Sequence, residues 1–159
     1  MLNIGDKAPD LLGRNSEGKE VRLSDFPGKK VILYFYPKDN TPGCTAEACS
    51  FRDNYETFLG MGYVVIGVSK DSEASHLKFK EKYDLPFILI ADTDHKLAEE
   101  FGVWRMKKMA GREYLGVVRT TFVIGADGVI SDVVEKVKTK TASEQLFALL
   151  DGRGDINPA

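Results

Sequence analysis

This chain of 159 residues has only two cysteines and two histidines, and two cysteines need further ligands to hold a metal ion. His76 and His95 lie in polar helical stretches without paired spacing, so no metal site is expected, and both read as solvated surface residues. No apolar run approaches the ~20 residues that span a bilayer. A large excess of either charge is also missing: 22 basic and 24 acidic side chains leave a net charge of −2. That balance gives no electrostatic case for nucleic acid or an anionic membrane as partner. The opening Met1-Leu2-Asn3-Ile4-Gly5-Asp6 lacks the basic stretch and apolar core of a secretory signal, so a cytoplasmic protein is expected. Internal repeats and low-complexity tracts are absent too.

What is present is a globular composition, 43% hydrophobic and 29% charged, at a length that fits one domain over 1–159 with its own core. The tail, 152–159, is expected to fray. Turn signals at Asn15–Gly18 and Pro27-Gly28 bracket a short strand at Val21–Leu23, a hairpin-like preface. Val31–Tyr36, Tyr63–Ser69 and Phe87–Ile90 are continuous β-prone runs, as in strands covered on both faces. Between them lie helical patterns over about 45–59, from an Asp71 or Ser72 cap to Tyr83, and from Thr93 or Asp94 to Gly102. Residues 103–116 read as irregular and basic. Thr120–Ile124 and Val129–Val134 flank the Asp127-Gly128 turn, a hairpin signal, and a last helix runs from Thr141 or Ser143 to Leu150. Alternation of this kind predicts an α/β protein, a mixed sheet with helices on both faces.

The cysteines, Cys44 and Cys49, sit in one short segment. Joining them would close a loop too small to stabilise much, and such a pair in a reducing compartment is more often catalytic than structural. Upstream, a buried strand ends at Pro37, the loop Asp39-Asn40-Thr41-Pro42-Gly43 turns, and a helix starts at or beside Cys44. Free amides of a first helical turn and the positive end of its dipole favour an anion there, here the thiolate. Thr41 places a hydroxyl within about one turn of the sulfur, where it can donate to a thiolate. Cys49 falls in the same helix, so its Cα lies ~8.6 Å from that of Cys44, from a rise of ~7.5 Å and a rotation of ~140°. A disulfide needs Cα atoms within about 7 Å. The pair can therefore bond only if the helix unwinds locally.

Pro37, Thr41 and Cys44 together resemble the Pro-x-x-x-Thr-x-x-Cys motif of the peroxiredoxins. The longer string from Tyr36 to Cys49 resembles the atypical two-cysteine subgroup known as bacterioferritin comigratory protein or peroxiredoxin Q. The likeness runs through Gly5–Asp10, Gly67–Asp71, Phe101–Trp104 and Arg119–Phe122. It implies a thioredoxin-like fold with an N-terminal extension, and a peroxidase that reduces hydrogen peroxide and organic hydroperoxides. On that resemblance, Cys44 is the peroxidatic cysteine and becomes a sulfenic acid. Cys49 resolves it as an intramolecular disulfide, and a thioredoxin-type protein reopens the bond. Arg119 is the active-site guanidinium, Glu47 orients it, and no metal or organic cofactor is required. The subgroup is often monomeric, and a monomer, or at most a weak dimer, is expected here.

Plainer readings remain beside these. Two buried cysteines can be inert core residues. Arg119 can be a strand-end charge, Thr41 a turn residue, and Glu47 a first-turn acid favoured by the dipole. The basic stretch from Arg105 to Arg112 reads as a solvated face, and Phe51, Tyr55 and Phe58 as core. A protein dithiol–disulfide oxidoreductase is the rival enzyme, although such proteins typically carry Cys-x-x-Cys rather than four intervening residues. A redox sensor that hands oxidation to a partner is the third reading.

Overall fold

The computed structural model describes residues 1–151; the tail expected to fray, 152–159, lies outside the described residues. The preface is a hairpin, β1 (Leu11–Arg14) antiparallel to β2 (Glu20–Arg22). Asn15 shapes its turn by accepting from the amides of Glu17 and Lys19 at 2.9 and 3.0 Å, as a side chain that mimics a backbone turn does. Next come β3 (Lys30–Phe35), α1 (Pro42–Asp53), α2 (Tyr55–Gly60), β4 (Tyr63–Ser69), α3 (Glu73–Tyr83), β5 (Ile88–Ala91) and α4 (Lys96–Phe101). The chain then forms β6 (Trp104–Met109), β7 (Arg112–Val117), β8 (Thr120–Ile124), β9 (Ile130–Val134) and α5 (Ala142–Asp151).

The main sheet has the order β5-β4-β3-β8-β9, with β3, β4 and β5 parallel and β8 and β9 antiparallel to their neighbours. Because strand side chains alternate, each central strand feeds two cores. Val31, Leu33 and Phe35 of β3 enter the core shared with Leu12, Val21 and α4. Ile32, Tyr34 and Tyr36 enter the core shared with Ala48, Phe51, Phe58, Phe79 and Leu146. The mixed α/β sheet with helices on both faces is thus as expected. Gly67 interrupts the apolar run of β4 for a steric reason: a Cβ there would lie 2.8 Å from Cζ and 2.9 Å from Oη of Tyr34.

Three local expectations differ. The helix expected over 45–59 is two, parted at Asn54, whose side chain turns back to donate to Ser50 O at 2.9 Å. Such local side-chain bonding competes with the helix. Residues 103–116 are regular: β6 and β7 make a separate hairpin with Met109 opposite Arg112. Its two turn residues, Ala110 and Gly111, both have positive φ, 52° and 79°, which matches the right-handed strand twist without an Asn-Gly or Asp-Gly pair. Finally, the N-cap residue of α4 is His95 rather than Thr93 or Asp94, although Asp94 Oδ1 does accept from the first helical amide, Lys96 N, at 3.2 Å. The carboxylate of Asp92 accepts from the amides of Leu97 and Ala98, both at 2.9 Å.

Candidate active site

The last residue of β3, Phe35, lies opposite Thr120 of β8 in the antiparallel register. One residue before Thr120 stands Arg119, so the sheet itself carries Arg119 to the strand end from which the loop to Cys44 departs. The loop runs through Pro37 to Thr41, the N-cap of α1, with Pro42 at the helix start, where its fixed φ suits the helix and its missing N–H costs nothing. The first helical bond is Thr45 N to Thr41 O at 2.8 Å. The amides of Gly43 and Cys44 therefore belong to the first turn, which lacks intrahelical acceptors and favours an anion.

Cys44 is buried and free, and Cys49 is free and partly exposed. Arg119 Nη2 donates to Cys44 Sγ at 3.3 Å, and its Nη1 donates to Glu47 Oε1 at 2.6 Å. One planar guanidinium thus spans the sulfur and the carboxylate, a use that suits the fixed fork of arginine. Gly43 makes room for it, since a Cβ there would sit 3.3 Å from Nη2. Glu47 is fully buried while a fifth of Arg119 is exposed.

Burial pushes the Glu47 carboxyl up to about 7, against the charge and hydrogen bond of Arg119. Burial also acts to lower the proton affinity of Arg119, but Glu47 and Cys44 outweigh it and the net direction is upward. Among the described residues, Glu47 Oε2 and Tyr34 Oη are buried without hydrogen-bond partners. Burial first, then the charges of Glu47 and Cys44, drives the Tyr34 phenol well above its ordinary value.

The structure brings Cys44, Glu47 and Arg119 into direct contact and places Cys49 in the same helix, α1. Thr41 is at the helix start, but its hydroxyl donates to Lys38 O at 2.9 Å rather than to the sulfur. That bond closes the loop and leaves the hydroxyl oxygen as an acceptor. Pro37 terminates the strand one residue after Tyr36, whose amide still pairs with Val68 O at 3.0 Å.

Lys107 and His76 escape a reading from sequence. Lys107, taken there as part of a solvated face, is half-buried and donates to Val117 O at 2.9 Å. Its proton affinity is lowered by burial and then by the charge of Arg119, with Cys44 opposing. Trp104 instead stacks flat on His95, with ring centroids 4.0 Å apart. His76 is not a surface residue; it is fully buried, with Asp39 beside it. Neither feature has a local signal, because both depend on which face a polar segment turns inward. No cluster of three or more His, Cys, Asp or Glu side chains among the described residues is arranged for a metal ion.

Comparison with known proteins supplies the context. A family model described as the AhpC/TSA family matches residues 4–133. The peroxiredoxin Bcp of Bacillus subtilis is 52% identical over 151 residues, covering 94% of this chain and 96% of that protein. The peroxiredoxin Bcp of Escherichia coli is 44% identical over 138 residues, covering 87% and 88%. Among solved structures, peroxiredoxin Q of Xanthomonas campestris superposes with a TM-score of 0.85 at 34% identity over 96% of each chain. A bacterioferritin comigratory protein from the same organism, solved as trapped intermediate and ligand complexes bearing on alkyl peroxide reduction, gives 0.85 at 33% identity, covering 96% of this chain and 98% of that one.

Proposed function

The chain belongs to the AhpC/TSA family, and on that premise we propose that its peroxidase chemistry runs through Cys44, Cys49, Arg119, Glu47, Thr41 and Pro37. The protein is a peroxiredoxin with a thioredoxin-like fold, a thiol peroxidase acting on hydroperoxides. The observation that carries the assignment of residues is the Arg119 fork, which touches Cys44 Sγ and Glu47 Oε1 at once.

In the first step the Cys44 thiolate attacks the nearer peroxide oxygen. The O–O bond breaks, the sulfur becomes a sulfenic acid, and the departing alkoxide or hydroxide takes a proton to leave as alcohol or water. Arg119 and the first-turn amides of α1 are the donors for the oxygen on which charge develops. Thr41 Oγ1 accepts from the peroxide hydroxyl and so orients the substrate. Pro37 fixes where the strand ends and the loop begins. In the second step the Cys49 thiol displaces hydroxide from the Cys44 sulfenic acid; a disulfide forms and water is released. Both cysteines lie in α1, at a helical separation too long for that bond, so the first turns of α1 unwind between the two steps.

A thioredoxin-type dithiol protein then reduces the disulfide by exchange. A pair that must be re-reduced in every cycle suits a reducing compartment, and we place the protein in the cytoplasm as a one-domain monomer over 1–159. No helix among the described residues is long and apolar enough to cross a membrane. The test is turnover: the purified protein should consume hydrogen peroxide or an organic hydroperoxide while oxidising reduced thioredoxin. No consumption of either peroxide would defeat the reading, and thioredoxin oxidation without peroxide would favour a protein disulfide oxidoreductase.

A further inference from the structure

We propose that Asp39 and His76 are positioning residues that anchor the upstream end of the catalytic loop and so hold the peroxide-reactive site against unwinding. The inference rests on the function proposed above and concerns residues to which that chemistry gives no task.

Asp39 is 6% exposed and His76 is fully buried. Three side chains meet the Asp39 carboxylate: Tyr36 Oη at 2.6 Å, His76 Nδ1 at 2.7 Å and Ser75 Oγ at 2.8 Å. The Asp39 amide donates to Asp71 Oδ2 at 2.9 Å, and Asp71 Oδ2 also accepts from Ser69 Oγ at 2.7 Å. On its other side, His76 Nε2 faces Ile90 O at 2.9 Å, which can only accept. The ring therefore ties the loop to α3 and to β5 at once. Asn40 adds a tether, its Oδ1 accepting from Tyr83 Oη at 3.1 Å and Lys82 Nζ at 3.3 Å.

A buried carboxylate is costly unless its lone pairs are met, and removing one partner of a buried pair leaves the other uncompensated. This cluster is fully met, which makes the position of residues 39 and 40 stiff. Downstream, Ser50 is fixed to α5 in the same manner: Ser143 N donates to Ser50 Oγ at 3.0 Å and Ser143 Oγ to Ser50 O at 2.8 Å. Both cysteines lie between these fixed points, on the segment that has to rearrange. With the upstream end pinned, Cys44 stays beside Arg119 until it has reacted, and the unwinding that follows is confined to the helix. Loosening the pin populates the unwound form before peroxide arrives.

The test separates the two chemical steps in single-turnover experiments on the reduced protein. Cys44 oxidation is followed by sulfenic-acid trapping and disulfide closure by mass and thiol count. Asp39→Ala and His76→Phe should slow the peroxide step about tenfold, as loss of a bond to a buried charge implies. Both should also hasten disulfide closure and lower overoxidation at high peroxide. Asp39→Asn should recover most of the parental rate, because its amide can still accept from Tyr36 and can donate to a neutral His76 ring.

A merely structural role would lower the melting temperature and the reactive fraction while leaving the rate constants of the folded fraction alone. That outcome, or equal slowing of both steps, overturns the proposal. Should the strong variants not fold, Ser75→Ala and Tyr36→Phe each remove one donor and should move the split the same way by a smaller factor; an unchanged split in both overturns it equally. A parent protein whose Cys44 does not react with peroxide defeats the proposed function instead, which a reactive parent with unshifted variants does not.

Discussion

The two sides of Cys44 are built differently. Upstream, residues 36–40 are held by a buried net of side-chain hydrogen bonds to α3, β5 and the end of β4. Downstream, the first turns of α1 carry Cys44, Glu47 and Cys49; Cys44 and Ala48 pack on the sheet through apolar contacts, and the polar link runs through the fork of Arg119. One side is over-determined by bonds that no reaction step uses. The other is bonded by a guanidinium whose partner is the sulfur proposed to react in every cycle. On the proposed chemistry, stiffness is thus placed before the nucleophile, and the freedom to unwind after it.

The largest effect should come from deleting the nucleophile. Cys44→Ser should abolish peroxide turnover altogether while the tethers of residues 39 and 40 persist, as loss of peroxide consumption with retained circular dichroism would show. Next in size is Cys49→Ser. It leaves the folded side of the comparison intact, so the first burst of peroxide loss should match the parent. Recycling by thioredoxin should fail, and sulfinic acid should accumulate at excess peroxide. Loss of the initial burst as well would break the division of labour between the cysteines.

Much of the downstream side is legible in sequence. The strand end at Pro37, the helix start near Cys44 and the need for unwinding follow from residue types and helical geometry over a dozen positions. The contact between Arg119 and Cys44 does not, because it bridges residues 75 apart and arises from the register of β8 on β3. Only the family resemblance pointed to it. His76 defied the local reading for a related reason: its helix is polar, and nothing nearby in sequence says that its own face turns toward Asp39. The β6–β7 hairpin stayed hidden because most of its residues are exposed, so no buried face patterns the strands, and its turn is Ala-Gly, without the usual signature. Lys107, which that hairpin brings into the field of Cys44 and Arg119, was hidden with it.

Arg119→Lys probes the one link that both steps share. A lysine supplies charge but no fork, so it can serve the sulfur or the Glu47 carboxylate and not both with the same geometry. The peroxide step should slow by about 10- to 100-fold, in the range of losing a positioned donor to developing charge. Disulfide closure should be less affected, since the helix is then held less firmly. Equal slowing of both steps in single-turnover measurements would show that Arg119 does not restrain the helix.

The smallest effect on rate, and the sharpest on the comparison, belongs to Glu47→Gln. The glutamine keeps an acceptor for Arg119 Nη1, so the peroxide step should change only a few-fold. The charge, however, is gone, and the stability of the segment then responds to pH differently. In the folded protein burial raises the Glu47 carboxyl from 4.5 to about 7. An acid whose folded value is raised binds more protons when folded than when unfolded across that interval. Its contribution to stability is therefore most favourable below about 4.5, falls as the pH rises through the interval, and is level above about 7. Glutamine cannot titrate, so the stability of Glu47→Gln relative to the parent should rise between those limits, by on the order of 2 kcal/mol. Denaturant unfolding of both proteins from about pH 4.5 to 8 measures that difference directly. A difference that stays flat would mean that Glu47 is fully ionised and firmly paired throughout. The downstream side would then be as tightly held as the upstream one, and the contrast between them would have to be found in the sulfur alone.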